Sequence, residues 1–496
     1  MNICQASNTR DHPSLHVIPI DQGFLVIRPI TGDWAVLNQL AREIFAPDLH
    51  AIESQAGHYR FIPSDARYER LVELCEFPVI DPVSRKEPKP LEMVILKVTN
   101  RCNQACRYCY DATGSVNHDQ NAAMLMKVVA EALPLSGEKG LSLLFHGGEP
   151  LMKFELIKKI TRFAQAEATK LGKTVRFLVQ TNGSILTDRA VSFLSEYDFG
   201  IGVSLDGWSS LHDKYRVMRN GSGTYHLFER NFMRYREFFM SRCGVMTTVS
   251  AGNVDLLYEV IRHFQTLGFR TWNCTLYDMN GRGAECHELA VDADRYCESM
   301  ERVIAGVERG EFDNVAIHPL LSLLDNLLTD QRTHMCMPGA QSCGAAQRLV
   351  SVSADGSIDA CDIVEDRSLS LGHVKHTTLQ ESLGTPNAKK ITTRHELHLT
   401  RCHHCTWLGV CGGTCLGRSS LHSINSTDCR ISMRMFEYLL RRLAASDGLL
   451  AYYNRFPKPM RRANALSSVV NAALTRRLNI FSRRVNGVHH EYVRLS

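Results

Sequence analysis

From residue 93 the chain alternates short apolar runs with longer stretches whose apolar residues recur every three or four positions. The runs are EMVILKVT, LSLLFHGG, VRFLVQTNG, GIGVSLDG, GVMTTVSA and TWNCTLY. Between them lie stretches such as LIKKITRFAQAEATKLG and LLYEVIRHFQTLG. The short runs read as strands and the spaced pattern as amphipathic helices. Their alternation predicts a parallel sheet with right-handed crossovers, an α/β fold. Six such repeats over residues 93–331 predict a partial, TIM-like (β/α)6 barrel. In such barrels chemistry gathers at the C-terminal ends of the strands.

The flanks have different rhythms. Residues 1–80 mix LHVIPI, GFLVIRP and WAVL with the helical stretches LNQLAREIF and YERLVELCEF, the pattern of a small α+β domain. Residues 81–92, DPVSRKEPKPLE, are rich in proline and charge and read as a linker. Over residues 332–430 the periodicity dissolves into glycine and cysteine, as in folds held by metal more than by core burial. Residues 431–496, with SMRMFEYLLRRLAA and PMRRANALSSVVNAALTRRLNIFSRR, read as a helical, basic C-terminal tail.

Composition narrows the compartment and the partners. The net charge of +5 over 496 residues is too small to argue for nucleic acid. No run of about 18 apolar residues is present, so no transmembrane span is expected. MNICQASNTRDHPSLHV lacks the basic-then-apolar pattern of a secretory signal, which predicts a cytoplasmic protein. Seventeen cysteines in such a chain point to metal ligands or catalytic thiols rather than disulfides. Cys4, Cys75, Cys243, Cys274, Cys286 and Cys297 are scattered and read as packing thiols. The other eleven fall in two groups.

The first group, Cys102, Cys106 and Cys109 in TNRCNQACRYCYDA, follows the first barrel strand directly. Thiolate is a soft ligand that favours zinc or iron–sulfur. A structural zinc closes with four ligands, and no fourth cysteine or histidine lies near this loop. A [4Fe–4S] cluster on three thiolates leaves one iron open to a small chelating molecule. The loop motifs HGGEP, QTNG and SLDG end the next three strands, where a barrel places its site.

With these motifs the chain resembles the radical S-adenosylmethionine (SAM) enzymes. The resemblance implies that SAM chelates the open iron through its amino and carboxylate groups. One electron then cleaves the sulfonium to methionine and a 5′-deoxyadenosyl radical. It further implies that Gly147, Gly148 and Glu149 hold the methionine amine and that Ser204 and Arg216 meet its carboxylate. Tyr108 is expected near the adenine and Asn182 at the ribose. For Asp206 a turn-forming role before Gly207 stands beside a ligand role, and Tyr110 reads as packing.

The second group is Cys336, Cys343, Cys361, Cys402, Cys405, Cys411, Cys415 and Cys429, and its pattern resembles the SPASM domain, an auxiliary-cluster extension of radical SAM proteins that usually modify peptides. Cys343 precedes Cys361 with Gly356 between them, and Cys402, Cys405, Cys411, Cys415 and Cys429 follow. The resemblance implies one auxiliary [4Fe–4S] cluster on Cys343, Cys361 and Cys415, with Cys336 as candidate fourth ligand. A second would use Cys402, Cys405, Cys411 and Cys429, giving three clusters in all. His403 and His404 lie beside ligands without being counted among them, and a pair of zinc ribbons is the structural alternative.

Residues 1–80 resemble the small winged-helix domains that recognise leader peptides of ribosomally made natural products. The expectation is a radical SAM peptide maturase acting on a precursor of leader plus core. It would install a dehydrogenative crosslink, a carbon–carbon cyclophane first and a thioether second. An auxiliary cluster would accept the surplus electron, and a flavodoxin or ferredoxin would supply the first one. Two alternatives remain open at this point. One is oxidation of a serine or cysteine in a protein, as sulfatase maturases do; the other is a non-catalytic iron–sulfur or zinc adaptor. No general base is assigned.

Overall fold

The computed structural model describes residues 90–111, 117–328, 343–364, 366–394, 402, 405–411 and 413–456, together with short strands near both ends. Cys336, His403, His404, the helical stretches of residues 39–80, residues 81–89 of the linker and residues 457–478 of the tail lie outside the described residues.

Six strands form where the apolar runs predict them: β4 (Met93–Thr99), β5 (Leu141–Gly147), β6 (Val175–Thr181), β7 (Gly200–Ser204), β8 (Cys243–Val249) and β9 (Thr271–Leu276). Every residue of β4 after Met93 is buried, as expected of a parallel strand covered on both faces. Each strand pairs in parallel with the next, and a two-residue β10 (Ala316–Ile317) extends the series beyond β9. Two residues are too few to show a period, so β10 is invisible in the sequence.

Amphipathic helices cover the outside of this partial barrel. They include α1 (Ala122–Leu135), α2 (Phe154–Lys170), α3 (Asp188–Glu196), α4 (Tyr225–Arg234), α5 (Leu257–Leu267), α6 (Ala293–Glu308) and α7 (His318–Leu328). Helix α2 buries Ile157, Ile160, Thr161, Ala164 and Ala168, one stripe at helical spacing. The Thr187 side chain caps α3 by accepting from the Ala190 N–H, and α5 ends at Gly268 with φ +103°. Among the described residues no helix is long and apolar enough to cross a membrane.

On its other edge β4 pairs in parallel with β11 (Leu349–Val352), followed by antiparallel β12 (Ser357–Asp359) and β13 (Gly372–His373). The cysteine-rich region therefore continues the barrel sheet, in the order β10-β9-β8-β7-β6-β5-β4-β11-β12-β13. Two C-terminal helices, α8 (Ser426–Ala445) and α9 (Gly448–Arg455), pack back on the barrel. Arg434 pairs with Glu301 at 2.9 Å, Arg442 with Glu308 at 2.7 Å, and the Tyr453 hydroxyl donates to Asp325 at 2.6 Å.

The chain ends form a separate small sheet. Antiparallel β1 (His16–Ile20), β2 (Gly23–Ile27) and β3 (Trp34–Asn38) continue into strands from the far C-terminus. These are β14 (Asn479–Ile480) and β17 (Val493–Leu495), with β15 (Arg483–Val485) and β16 (Val488–His490) as a hairpin between them. Residues 479–495 thus differ from the helical tail that their basic composition predicts. Val493, Arg494 and Leu495 alternate apolar and polar side chains, and β17 pairs with β3 over these three residues.

Candidate active site

The cysteine loop leaves β4 through a register shift between Lys97 and Thr99. Its backbone is pinned to the segment after β7: the N–H of Ala105 donates to Val217 at 2.7 Å and that of Arg107 to Tyr215 at 2.9 Å. Cys102, Cys106 and Cys109 are all partly buried. Burial, then the nearby Glu149 carboxylate and the other two thiols, pushes Cys102 up to about 12. Burial also pushes Cys106 up to about 11, against the pull of Arg216. Grouped thiols that resist ionising alone are stabilised as thiolates by a bound metal. Among the described residues no three side chains converge as the ligands of a single ion do. A closed zinc site needs four ligands, and this loop offers three thiols, a donor set that fits a multi-iron cluster with one iron left open.

The glycine pair after β5 meshes with this loop. Gly147 has φ +113°, and a Cβ there would overlap the Thr99 carbonyl oxygen. At Gly148 a Cβ would overlap the carbonyl oxygen of Arg101. The Gly148 N–H donates to Thr99 and the Glu149 N–H to Arg101, both at 2.8 Å. The Glu149 carboxylate is buried and accepts from the Leu151 N–H at 3.1 Å, the Thr181 hydroxyl at 2.7 Å and the Asn182 N–H at 2.8 Å. Burial pushes it up to about 7, opposed by those three bonds. Asn182 in turn donates from its side chain to Asn103 of the cysteine loop at 2.9 Å.

Beyond β7 a second charged group closes the site. Arg216 is buried and grips Asp206 with Nε at 2.9 Å and Nη2 at 3.1 Å. Asp206 also accepts from the Thr248 N–H at 3.0 Å and from the Tyr108 hydroxyl. The Arg216 guanidinium lies 5.4 Å from the Tyr108 ring centre. Asp206 is therefore the internal counter-ion of Arg216, a role beyond the turn former of the sequence reading. Ser204 accepts from the Gln180 side chain at 2.9 Å.

A polar set that sequence reasoning missed stands beside the cysteine loop, with Lys97 buried and Tyr110, Asp111, His146 and Asp362 half-buried. Lys97 donates from Nζ to Asp111 at 2.6 Å and to the Asp362 carbonyl at 2.9 Å. The Tyr110 hydroxyl, expected to be packing, donates to Asp362 Oδ2 at 3.0 Å and lies 3.3 Å from His146 Nδ1. Burial raises the Asp362 pKa, but His146, Lys97 and hydrogen bonds from Cys361 and Tyr110 outweigh it and hold the carboxyl below its usual range. Asp111 Oδ2 is buried with no hydrogen-bond partner among the described residues. The signals were present: a lysine inside VILKVT, a histidine before GGEP and an aspartate directly after Cys361.

The later cysteines separate in space. Cys402 and Cys411 each feel the charges of Cys405 and Cys429, and Cys429 that of Cys405; burial pushes Cys411 up to about 12. Cys415 feels the charge of Cys343 instead, and both act on the buried Arg394. The Ala346 N–H donates to Ala360 at 3.1 Å, tying the Cys343 segment to that of Cys361.

On this parallel sheet, with a three-thiol loop after β4 and Cys361 just beyond β12, two family models match, those of a radical SAM domain and a SPASM domain. Residues 96–270 match the radical SAM superfamily model and residues 343–406 the iron-sulfur cluster-binding SPASM model. This sets aside the non-catalytic adaptor. Among curated proteins the chain is 23% identical over 377 residues to a cysteine-type anaerobic sulfatase-maturating enzyme of Clostridium novyi, covering 73% of this chain and 99% of that one. It is also 23% identical over 360 residues to a serine-type enzyme of Bacteroides thetaiotaomicron, 66% of this chain and 83% of that one. Its fold is similar to that of anSMEcpe with bound AdoMet: TM-score 0.62, 21% identity, 72% of this chain and 99% of that one. Streptococcus suis SuiB bound to S-adenosylmethionine aligns with TM-score 0.50 and 15% identity over 84% of this chain and 99% of that one.

Proposed function

We propose that this enzyme is a cytoplasmic peptide maturase that installs a dehydrogenative crosslink in a ribosomally made precursor, a carbon–carbon cyclophane first and a thioether second. One observation carries the reading. The three-thiol loop, the Gly147–Glu149 turn and the polar set of Lys97, Tyr110, Asp111, His146 and Asp362 meet at one end of one sheet. In this reading Cys102, Cys106 and Cys109 hold a [4Fe–4S] cluster with an open iron. Cys343, Cys361 and Cys415, with Cys336 as candidate fourth ligand, hold a second; Cys402, Cys405, Cys411 and Cys429 hold a third. S-adenosylmethionine at the open iron would supply a primary carbon radical on one-electron reduction.

The chain's own residues would bind and orient. Gly147, Gly148 and Glu149 form the wall for the methionine amine, whose positive charge would favour the ionised Glu149. Ser204 and Arg216 face the carboxylate, Arg216 through Nη1 because Asp206 takes Nε and Nη2. Tyr108 backs the adenine and Asn182 the ribose. Closing a crosslink from a carbon radical releases one proton and one electron. Asp362 would take the proton at Oδ1, which now accepts from the Cys361 thiol at 3.3 Å and would be freed when that thiol is ligated. The electron would leave toward the auxiliary cysteines next door.

Support for a peptide substrate comes from anSMEcpe, solved with AdoMet and the Cp18Cys peptide. About a quarter of this chain lies outside the alignment with the Clostridium novyi relative. That surplus suits a recognition unit at residues 1–80 for a leader, with a flavodoxin or ferredoxin as electron donor. The names of the relatives favour a second reading, oxidation of a serine or cysteine in a sulfatase-like protein. Anaerobic co-expression with each short peptide encoded beside the gene, read by tandem mass spectrometry, tests both. A peptide lighter by two hydrogens, with linked fragments and no hydrazide-reactive carbonyl, is expected. A hydrazide-reactive aldehyde would move the assignment to the second reading. Failure to modify any encoded peptide while purified enzyme converts a sulfatase motif peptide would overturn the first.

A further inference from the structure

The loop after β9 does more than connect it to α6. Its ends are anchored on the end of β8: the Tyr277 N–H donates to Val249 at 2.7 Å, and the Ala251 N–H donates to Leu289 at 3.0 Å. Between them the Tyr277 hydroxyl donates to the carbonyls of Gly283 and Cys286, the latter at 2.9 Å, so the side chain closes its own loop. Tyr277 and Leu289 then form one apolar cluster with Tyr108 of the cysteine loop, and Cys106, Tyr215 and Cys286 pack against it.

This loop covers the backbone between two of the three thiols residue by residue. Arg282 donates from Nε to the Cys106 carbonyl at 3.0 Å and from its backbone N–H to the Cys109 carbonyl at 2.9 Å. The Cys286 thiol reaches the Arg107 carbonyl at 3.7 Å. A Cβ on Gly283 would overlap the Asp278 carbonyl oxygen of its own loop, at 2.5 Å, so glycine there keeps the loop tightly closed. The same loop touches the auxiliary region: Asn280 Nδ2 donates to Ile363 at 3.4 Å and to Gly417 at 3.5 Å, each two residues beyond an auxiliary cysteine. The Arg282 charge also pulls on the Cys106 thiol.

We propose that residues 277–289 are a strap over the radical-generating loop, with Arg282 as its positioning residue. Arg282 locks the Cys106–Cys109 backbone and holds a positive charge beside the thiol-bound group. It rests on the reading that Cys102, Cys106 and Cys109 hold a [4Fe–4S] cluster. A cation beside such a cluster favours its reduced, more negative state and raises its potential. Asn280 extends the strap to the Cys361 and Cys415 segments, so one loop sets the distance between radical source and electron sink.

The test uses full-length protein, reconstituted anaerobically, as wild type, Arg282→Gln, Arg282→Lys and the Cys102/Cys106/Cys109→Ala triple variant. Iron content and the paramagnetic resonance of the reduced protein are followed with and without SAM during a redox titration. Wild type should show a signal that shifts on adding SAM and is absent from the triple variant. Arg282→Gln should keep its iron but need a lower potential. The reduced-to-oxidised ratio at a fixed poise should fall about tenfold, about 59 mV for one electron. Arg282→Lys, which keeps the charge but not the planar fork, should recover most of that shift. If the glutamine variant takes up no cluster, the lysine variant decides: recovered uptake and potential support the role, and an equal defect overturns it. An unchanged potential in Arg282→Gln also overturns it. A SAM-sensitive signal that persists in the triple variant instead sinks the underlying cluster assignment.

Discussion

The imidazole of His212 is 2% exposed and sits under the Asp206–Arg216 pair. Its Nδ1 accepts from the Asp206 N–H at 3.4 Å, and its Nε2 lies 3.1 Å from the Thr224 hydroxyl, which itself donates to the Arg216 carbonyl. Only the neutral ring with hydrogen on Nε2 satisfies both contacts. Burial, then the Arg216 charge, pushes His212 down to about 4. An unfolded histidine titrates near 6.5, so the unfolded chain binds more protons between these values. Stability from this group is full above about pH 6.5 and is lost as pH falls toward 4, on the order of 3 kcal/mol in all. His212→Gln should weaken the protein at neutral pH yet flatten the acid limb across that window. Urea melts at a series of pH values check this, and an acid slope equal to wild type would refute it.

At the scale of elements, the turn after β5 and the loop after β4 act as one unit because two backbones touch. The obstacle to a side chain at Gly148 is the Arg101 carbonyl, which no rotamer change removes. Gly148→Ala should therefore push the Glu149 turn away from the cysteine loop at an overpacking cost of about 1–3 kcal/mol. SAM cleavage by the reconstituted protein should fall by about tenfold to a hundredfold, because misplacing reacting groups by about 1 Å costs up to about a hundredfold. Gly384→Ala is the control: a Cβ there meets only ordinary contacts, the nearest at 3.4 Å. Equal activity of the two variants would show that the close approach is not needed. The glycines are legible in GGEP, but their reason is not, since the atoms they avoid belong to another strand end.

Over the whole molecule, the auxiliary cysteines are held against the barrel by sheet pairing and by helix docking. β11 runs parallel to β4 in register from Leu349–Met93 to Val352–Leu96. Helices α8 and α9 dock through Arg434, Arg442, Tyr452 and Tyr453 onto the barrel. If the cluster on Cys402, Cys405, Cys411 and Cys429 is an electron sink, Cys402→Ala with Cys405→Ala should abolish the mature peptide while SAM cleavage survives. Iron counts and size-exclusion chromatography establish that the variant keeps its other clusters and stays monodisperse. Mature peptide formed at the wild-type rate by that variant would take this cluster off the electron path.

The sequence alone determined the six strands of the barrel, the helices between them and the position of three thiols at the first strand's end. Those features depend on neighbours within a few residues: an apolar period, a glycine pair, a cysteine spacing. Tertiary structure alone decided that Lys97 meets Asp362 across 265 residues and that Asp206 neutralises Arg216. It also decided that β11 extends the barrel and that Arg282 lies over Cys106. No local pattern encodes these pairs, because a buried charge selects its partner by register and packing after the chain has folded. A lysine in an apolar strand announces that a partner must exist, since burying it alone is too costly. Only the fold says which carboxylate answers.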